Sequence, residues 1–177
     1  MRHRRTVALL LAATAALTAA CDDAPGDDAA LEVGTPAPDF RLETLDRERF
    51  YLHQHRGKLV ALVFWESWCT VCKEALIALS SAGQALGRDQ VVAVAVLGDP
   101  ENRAAAQDAL KGLPVDLPVL LDPGKRVGAR FDVRAVPTTA LLDRDGRLGL
   151  KRQGWDAGVA RQVREWLRER VPRRGTP

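Results

Sequence analysis

Cysteine is scarce: Cys21, Cys69 and Cys72 are the only three in 177 residues. They can close at most one internal pair. No second C-x-x-C accompanies the first, so a zinc site built from paired cysteines would lack half its ligands. Internal repeats and low-complexity segments are absent, which excludes solenoids and other repeat arrays. The uncharged run at residues 6–20 is about 15 residues long, short of the roughly 20 that a membrane-spanning helix requires. Excess charge is also missing once the leader is set aside. The chain carries 26 basic and 23 acidic residues, and Arg2, Arg4 and Arg5 supply the whole surplus. Residues 21–177 are therefore formally neutral and long enough for one domain with a proper core. The arginines at 161, 164, 168, 170, 173 and 174 read as a solvated helix face, and no nucleic-acid partner is expected.

What is present at the start is an export signal. Arg2, His3, Arg4 and Arg5 precede the apolar run, the pattern of a secretory signal peptide over residues 1–20. The junction Leu17-Thr18-Ala19-Ala20-Cys21-Asp22 resembles the lipobox of bacterial lipoproteins, in which cleavage exposes a cysteine that carries the lipid. It departs from the usual form in having Thr18, not an aliphatic residue, three places before the cysteine. Ordinary cleavage and an uncleaved anchor are the alternatives. Lipidation of Cys21 would leave Cys69 and Cys72 as the only pair. Asp22 resembles an inner-membrane retention signal. Residues 21–35, acidic and rich in Ala, Gly and Pro, read as a flexible tether. A domain over 36–171 and a flexible tail at 172–177 complete the organisation.

Within the domain, residues 39–44 and 49–52 read as two short strands. Residues 59–65 form an unbroken apolar run, the mark of a central strand buried on both faces. A helix runs from Cys72 with Leu76, Leu79, Gly83 and Leu86 on one face, and Gly87 supplies its stop. Residues 91–97 form a second buried strand. A helix then opens at Gly98-Asp99-Pro100 and runs to about Lys111, followed by a short strand at 119–122 and a short helix at 125–131. A hairpin over 138–153 turns at Asp143-Arg144-Asp145-Gly146, and a helix spans 157–170. Helices alternating with buried strands imply an α/β sandwich, a mixed sheet flanked by helices.

The chemistry concentrates at Trp68-Cys69-Thr70-Val71-Cys72, between the central strand and a helix. Unpaired N–H groups at a helix start, with the helix dipole, stabilise the thiolate of Cys69. A redox dithiol is the leading reading. His53 and His55 form an H-x-H, read as surface residues and not as metal ligands, and no metal or cofactor is expected.

Several pieces in one order extend this reading: Ala37-Pro38-Asp39-Phe40, Gly57-Lys58, Phe64-Trp65-Glu66-Ser67-Trp68-Cys69-Thr70-Val71-Cys72-Lys73, and Val136-Pro137-Thr138-Thr139. Over about residues 36–170 the chain resembles membrane-anchored thioredoxin-fold proteins of the TlpA/ResA type, within the AhpC/TSA redoxin superfamily. That resemblance implies a thioredoxin fold with an N-terminal strand extension and a central strand-helix insertion. It also implies a Cys69–Cys72 disulfide, Cys69 as exposed attacking thiol, Cys72 as resolving thiol, and Pro137 as a cis-proline against the dithiol. Trp68 would shield the sulfurs and contact substrate, whereas Trp65 reads as core. The implied activity is thiol:disulfide exchange at the outer face of the cytoplasmic membrane or in the periplasm. A monomer held by its lipid would reduce protein disulfides such as those of apocytochrome c, supplied with electrons by a membrane thiol donor.

Three departures bear on proton transfer. Val71 stands where proline is usual, Val63 where thioredoxin has a buried acid, and Glu74 two residues after Cys72 where the family has its glutamate three after. Glu66 and Glu74 are the candidate replacements. A peroxiredoxin is a second reading, opposed by Glu66 and Leu62 at positions where that family has threonine and proline. A thiol-based metal carrier is a third.

Overall fold

The computed structural model describes residues 31–172. The expected signal peptide, the expected lipidation site Cys21, most of the expected tether and residues 173–177 lie outside the described residues.

Seven strands, β1 (Arg41–Thr44), β2 (Arg49–Tyr51), β3 (Leu59–Trp65), β4 (Val91–Leu97), β5 (Val119–Leu121), β6 (Thr138–Leu142) and β7 (Leu148–Gln153), form one sheet. Their order is β2-β1-β5-β4-β3-β6-β7. All seven residues of β3 are buried, because it has a neighbour on either side and helices on both faces. It runs parallel to β4 and antiparallel to β6. The helix α1 (Cys72–Leu86) makes the crossover between β3 and β4, the connection a parallel pair requires. The remaining helices are α2 (Arg103–Leu110), α3 (Arg126–Arg130) and α4 (Ala157–Arg170).

Alternation along β3 divides the core. Leu59, Ala61, Val63 and Trp65 join a cluster with Cys69, Cys72, Leu76 and Leu79, and with Val163, Trp166 and Leu167 of α4. Val60, Leu62 and Phe64 face the other way, among Phe40, Phe50, Val127 and Phe131. Phe131 is fully buried there, with its ring centroid 5.4 Å from Phe64 and 6.0 Å from Phe40. The sandwich expected from the sequence is therefore present, and the dithiol belongs to the α1–α4 face.

Local signals place the ends. The Asp143 carboxylate accepts from the N–H groups of Asp145 and Arg147 and closes the hairpin turn. Asp156 caps α4 by accepting from the Val159 N–H at 2.8 Å, while Arg168 and Arg170 sit in its last turn, where the helix dipole favours cations. The arginines of α4 are exposed, with the Arg170 guanidinium 4.3 Å from the Trp166 ring centroid.

Several boundaries differ from those expected. The first strand starts at Arg41, and Leu52 leaves the second for a 3-10 turn, Leu52–His55. Residues Pro100–Asn102 are likewise a 3-10 turn, so the following helix begins only at Arg103. Lys125 precedes α3 because its backbone is left-handed, φ 55°. The tether ends before residue 35: Gly34 N–H donates to Leu148 at 2.7 Å, Leu148 N–H donates to Thr35, and Leu31 packs on the Phe40 cluster. An apolar Leu31 and a free edge on β7 suffice to dock this segment. No helix among the described residues is long and apolar enough to cross a membrane.

Candidate active site

The site forms where β3 ends. Cys69 N–H donates to the Glu66 carbonyl at 3.0 Å, folding the chain into a tight turn ahead of α1. Ser67 is tied down by Asp99, whose carboxylate accepts from both its N–H and its hydroxyl. Asp99 is buried and comes from the end of β4, so two adjacent parallel strands set the position of the turn. Val71 adopts φ −67° and ψ −22°, the φ a proline ring would impose. The missing proline therefore costs the helix start no geometry.

Cys69 and Cys72 are joined, with an S–S distance of 2.07 Å and Cα atoms 5.3 Å apart. Cys72 is 0% exposed, as a residue one turn deeper should be. Cys69, expected to be exposed, is only 4% exposed. It belongs to the apolar cluster that contains Trp65, and Val136 packs on that cluster from the opposite side of the site. Trp65 is core, 1% exposed. What reaches solvent is the rim: Trp68 is 69% and Val71 41% exposed, and with Val33 they are the exposed large hydrophobics among the described residues.

The Val136–Pro137 peptide is cis, and Pro137 is buried at the head of β6. The N–H and C=O of Val136 make no hydrogen bond among the described residues. Opposite Val63 in the β3–β6 register stands Thr139. Thr139 is 1% exposed, and its hydroxyl has no partner among the described residues. It lies on the same face of β6 as Leu141, which belongs to the dithiol's cluster.

The two candidate carboxylates are placed very differently. Glu74 is exposed. Two residues along a helix turn a side chain by about 200°, so Glu74 faces solvent while Cys72 faces the core. Glu66 is buried, its side chain 12% exposed. Its Oε2 accepts from Trp68 Nε1 at 2.6 Å and its Oε1 from Lys125 Nζ at 2.7 Å. That hydrogen bond and the nearby charges of Glu66, Asp99 and Glu101 raise the Lys125 pKa above its ordinary value despite partial desolvation. Nothing in the sequence announces the contact, because the partners lie 59 residues apart.

A cleft of about 210 Å³ opens next to Trp68, with Phe64 and Val96 of the other core cluster beneath, Trp68 and Glu66 on one side, and Arg134 and Val136 on the other; neither cysteine lines it. Arg134 is held by Asp132, whose carboxyl lies below its ordinary pKa because Lys151 and Arg134 both donate to it. The histidines take separate work: His53 bonds to Asp39 at 3.0 Å, and His55 stacks on Phe50, its pKa lowered by burial and then by Lys58. No group of three metal-ligating side chains occurs among the described residues.

Residues 33–150 match the AhpC/TSA family. The thiol-disulfide oxidoreductase ResA of Bacillus subtilis is 31% identical over 115 residues, 65% of this chain and 64% of the length of that relative. A structure assigned as the thiol:disulfide interchange protein DsbE of Chlorobium tepidum superposes with a TM-score of 0.74 at 25% identity, covering 80% of this chain and 99% of the other. The exposed lipoprotein thioredoxin Etrx1 of Streptococcus pneumoniae gives 0.60 at 30% identity, covering 75% and 99%. The buried dithiol, the cis Val136–Pro137 peptide and these likenesses agree: the chain belongs to the AhpC/TSA family and is a thiol-disulfide oxidoreductase with a thioredoxin fold.

Proposed function

We propose that this oxidoreductase works outside the cytoplasm as a reductant of protein disulfides, with apocytochrome c as a fitting substrate. The observation that carries the reading is the rim: a nearly buried disulfide flanked by exposed Trp68 and Val71 suits a protein surface better than a small solute. Cys69 attacks first, being the less buried sulfur and lying ahead of the α1 N-terminus. Cys72 then resolves the mixed disulfide. The unbonded main chain of Val136 offers pairing groups to an extended substrate segment, with Pro137 and Trp68 lining its path. A membrane thiol donor would return the dithiol to its reduced form.

Direction is tested by the midpoint potential of the folded domain, equilibrated first in glutathione and then in dithiothreitol buffers. A value well below the glutathione couple is expected. A value well above it would make the protein an oxidant. Stoichiometric copper or zinc without disulfide turnover would favour a metal carrier.

We also propose that Cys21 carries a lipid that holds the protein, as a monomer, to the outer face of the membrane. The export signal and the small-residue junction before Cys21 support this. Fatty-acid labelling of the full chain in cells should be strong in the wild type and absent in Cys21→Ser. Equal labelling of both would sink the anchor.

A further inference from the structure

Trp68 combines two properties that seldom occur together. Its residue is 69% exposed, yet its indole N–H is bound at 2.6 Å to a carboxylate that is itself mostly buried. That carboxylate, Glu66, is held in turn by Lys125 Nζ at 2.7 Å. The lysine is delivered by the left-handed backbone at the turn between β5 and α3. Gly98, just after β4, lies against the pair: a Cβ there would make ordinary contact, 3.4 Å from Glu66 Cγ and 3.7 Å from Lys125 Cε. Three connections of the fold therefore converge on one polar edge of one exposed ring.

Both oxygens of Glu66 are occupied, one of them by an ammonium group. The pair cancels its own charge, so the wall it supports is neutral. Behind that wall lies the 210 Å³ cleft, floored by Phe64 and Val96 and closed on the far side by Val136, which also packs on the dithiol's cluster. Neither cysteine lines the cleft, but it shares Trp68, the neighbour of Cys69, and Val136, the neighbour of the cis Pro137, with the rim of the redox site.

We propose that Glu66 and Lys125 are positioning residues. They fix the Trp68 indole as one wall of the cleft, and the cleft receives an apolar side chain of the protein substrate beside its reacting cysteine. The inference rests on the oxidoreductase reading and adds to it the basis of substrate choice. An unanchored exposed indole would have to give up rotamer freedom each time substrate docked. Held by Glu66, it is already in place. The proposal also removes Glu66 from the proton-transfer candidates, since it acts through Trp68 and not on a sulfur.

The test compares two synthetic peptide disulfides that differ only in having Phe or Gly next to the reactive cysteine. Wild type, Trp68→Phe, Glu66→Ala, Lys125→Met and the Trp68→Phe/Glu66→Ala double variant are assayed for KM and kcat, with midpoint potentials alongside. Trp68→Phe keeps a ring and loses only the N–H, so it reports on anchoring. Each single variant should raise KM for the Phe peptide about fivefold, the scale of immobilising one side chain, with kcat changed less than twofold. For the Gly peptide the rise in KM should be clearly smaller in every variant. Because Glu66 acts through the indole N–H, the double variant should be no worse than the worse single. Unchanged KM for the Phe peptide, additive losses, or a shifted midpoint potential in Glu66→Ala would each overturn the proposal while leaving the oxidoreductase reading intact. A wild type inactive on both peptides would overturn that reading and this inference with it.

Discussion

Cys72→Ser should accumulate covalent adducts with substrate through Cys69 and lose turnover by a factor on the order of a thousand or more. Cys69→Ser should lose turnover to the same degree and trap nothing. In the forward reaction the Cys69 thiolate attacks one sulfur of a substrate disulfide. A new S–S bond forms and the second substrate sulfur leaves as a thiolate, which takes up a proton. Cys72, deprotonated, then attacks the Cys69 sulfur and closes the bond seen in the structure at 2.07 Å. The first substrate sulfur departs and is protonated in turn. Two electrons and two protons have moved from the dithiol to the substrate. Removing Cys72 stops the sequence at the mixed disulfide, whereas removing Cys69 prevents it from starting. Non-reducing gels and mass spectrometry of the trapped species distinguish the two, and a Cys69→Ser protein that still reduces insulin would show the attacking sulfur to be misassigned. The structure makes this test sharper than the sequence did, because Cys69 is itself nearly buried and the difference in access between the two sulfurs is small.

Gly149→Ala should destabilise the fold by about 3 kcal/mol, lowering Tm by roughly 10 °C for a chain of this size. The reason is steric. A Cβ built on Gly149 would lie 2.1 Å from Cζ2 and 2.8 Å from Cε2 of Trp166. That ring is 8% exposed and rigid, with no flexible tail to swing aside. Trp166 is the large side chain through which α4 sits on β7, so either the helix or the strand must move. Gly154, three residues before the start of α4, provides the contrast. It has open space around its Cβ position but φ 76°, so alanine there meets backbone strain alone, about 1 kcal/mol. Thermal melts of the two variants separate the mechanisms. A Gly149→Ala protein melting within two degrees or so of the wild type would mean that α4 and β7 move apart at little cost and that the close Gly149–Trp166 contact is not what holds them.

The parts legible in the sequence are those governed by neighbours along the chain. Residues 59–65 and 91–97 were readable as buried strands because an apolar run of that length, bounded by polar turns, has few other stable uses, and both match the observed strands to the residue. Cys72 as a helix start and Gly87 as its stop were readable from spacing. Lys125 and residues 98–102 were misplaced at helix edges, since a left-handed residue and a 3-10 turn leave no periodic trace. The docking of residues 31–35 on β7 was missed for another reason: it depends on an edge presented by a hairpin more than 100 residues later, as the Arg147–Gly34 hydrogen bond shows.

The sequence by itself determined the dithiol and its position between a buried strand and a helix, because these rest on residue type and local spacing; the cis bond at Pro137 was implied only by the family resemblance. The tertiary structure alone decided how the surrounding groups are used. Glu66 and Glu74 are both carboxylates near the same cysteines, yet one is buried against Lys125 and Trp68 and the other faces solvent. Cys69 was expected to be open and is enclosed. Burial and ion pairing are set by contacts between segments tens of residues apart, and such contacts exist only after the sheet has brought the ends of β3, β4 and β5 together.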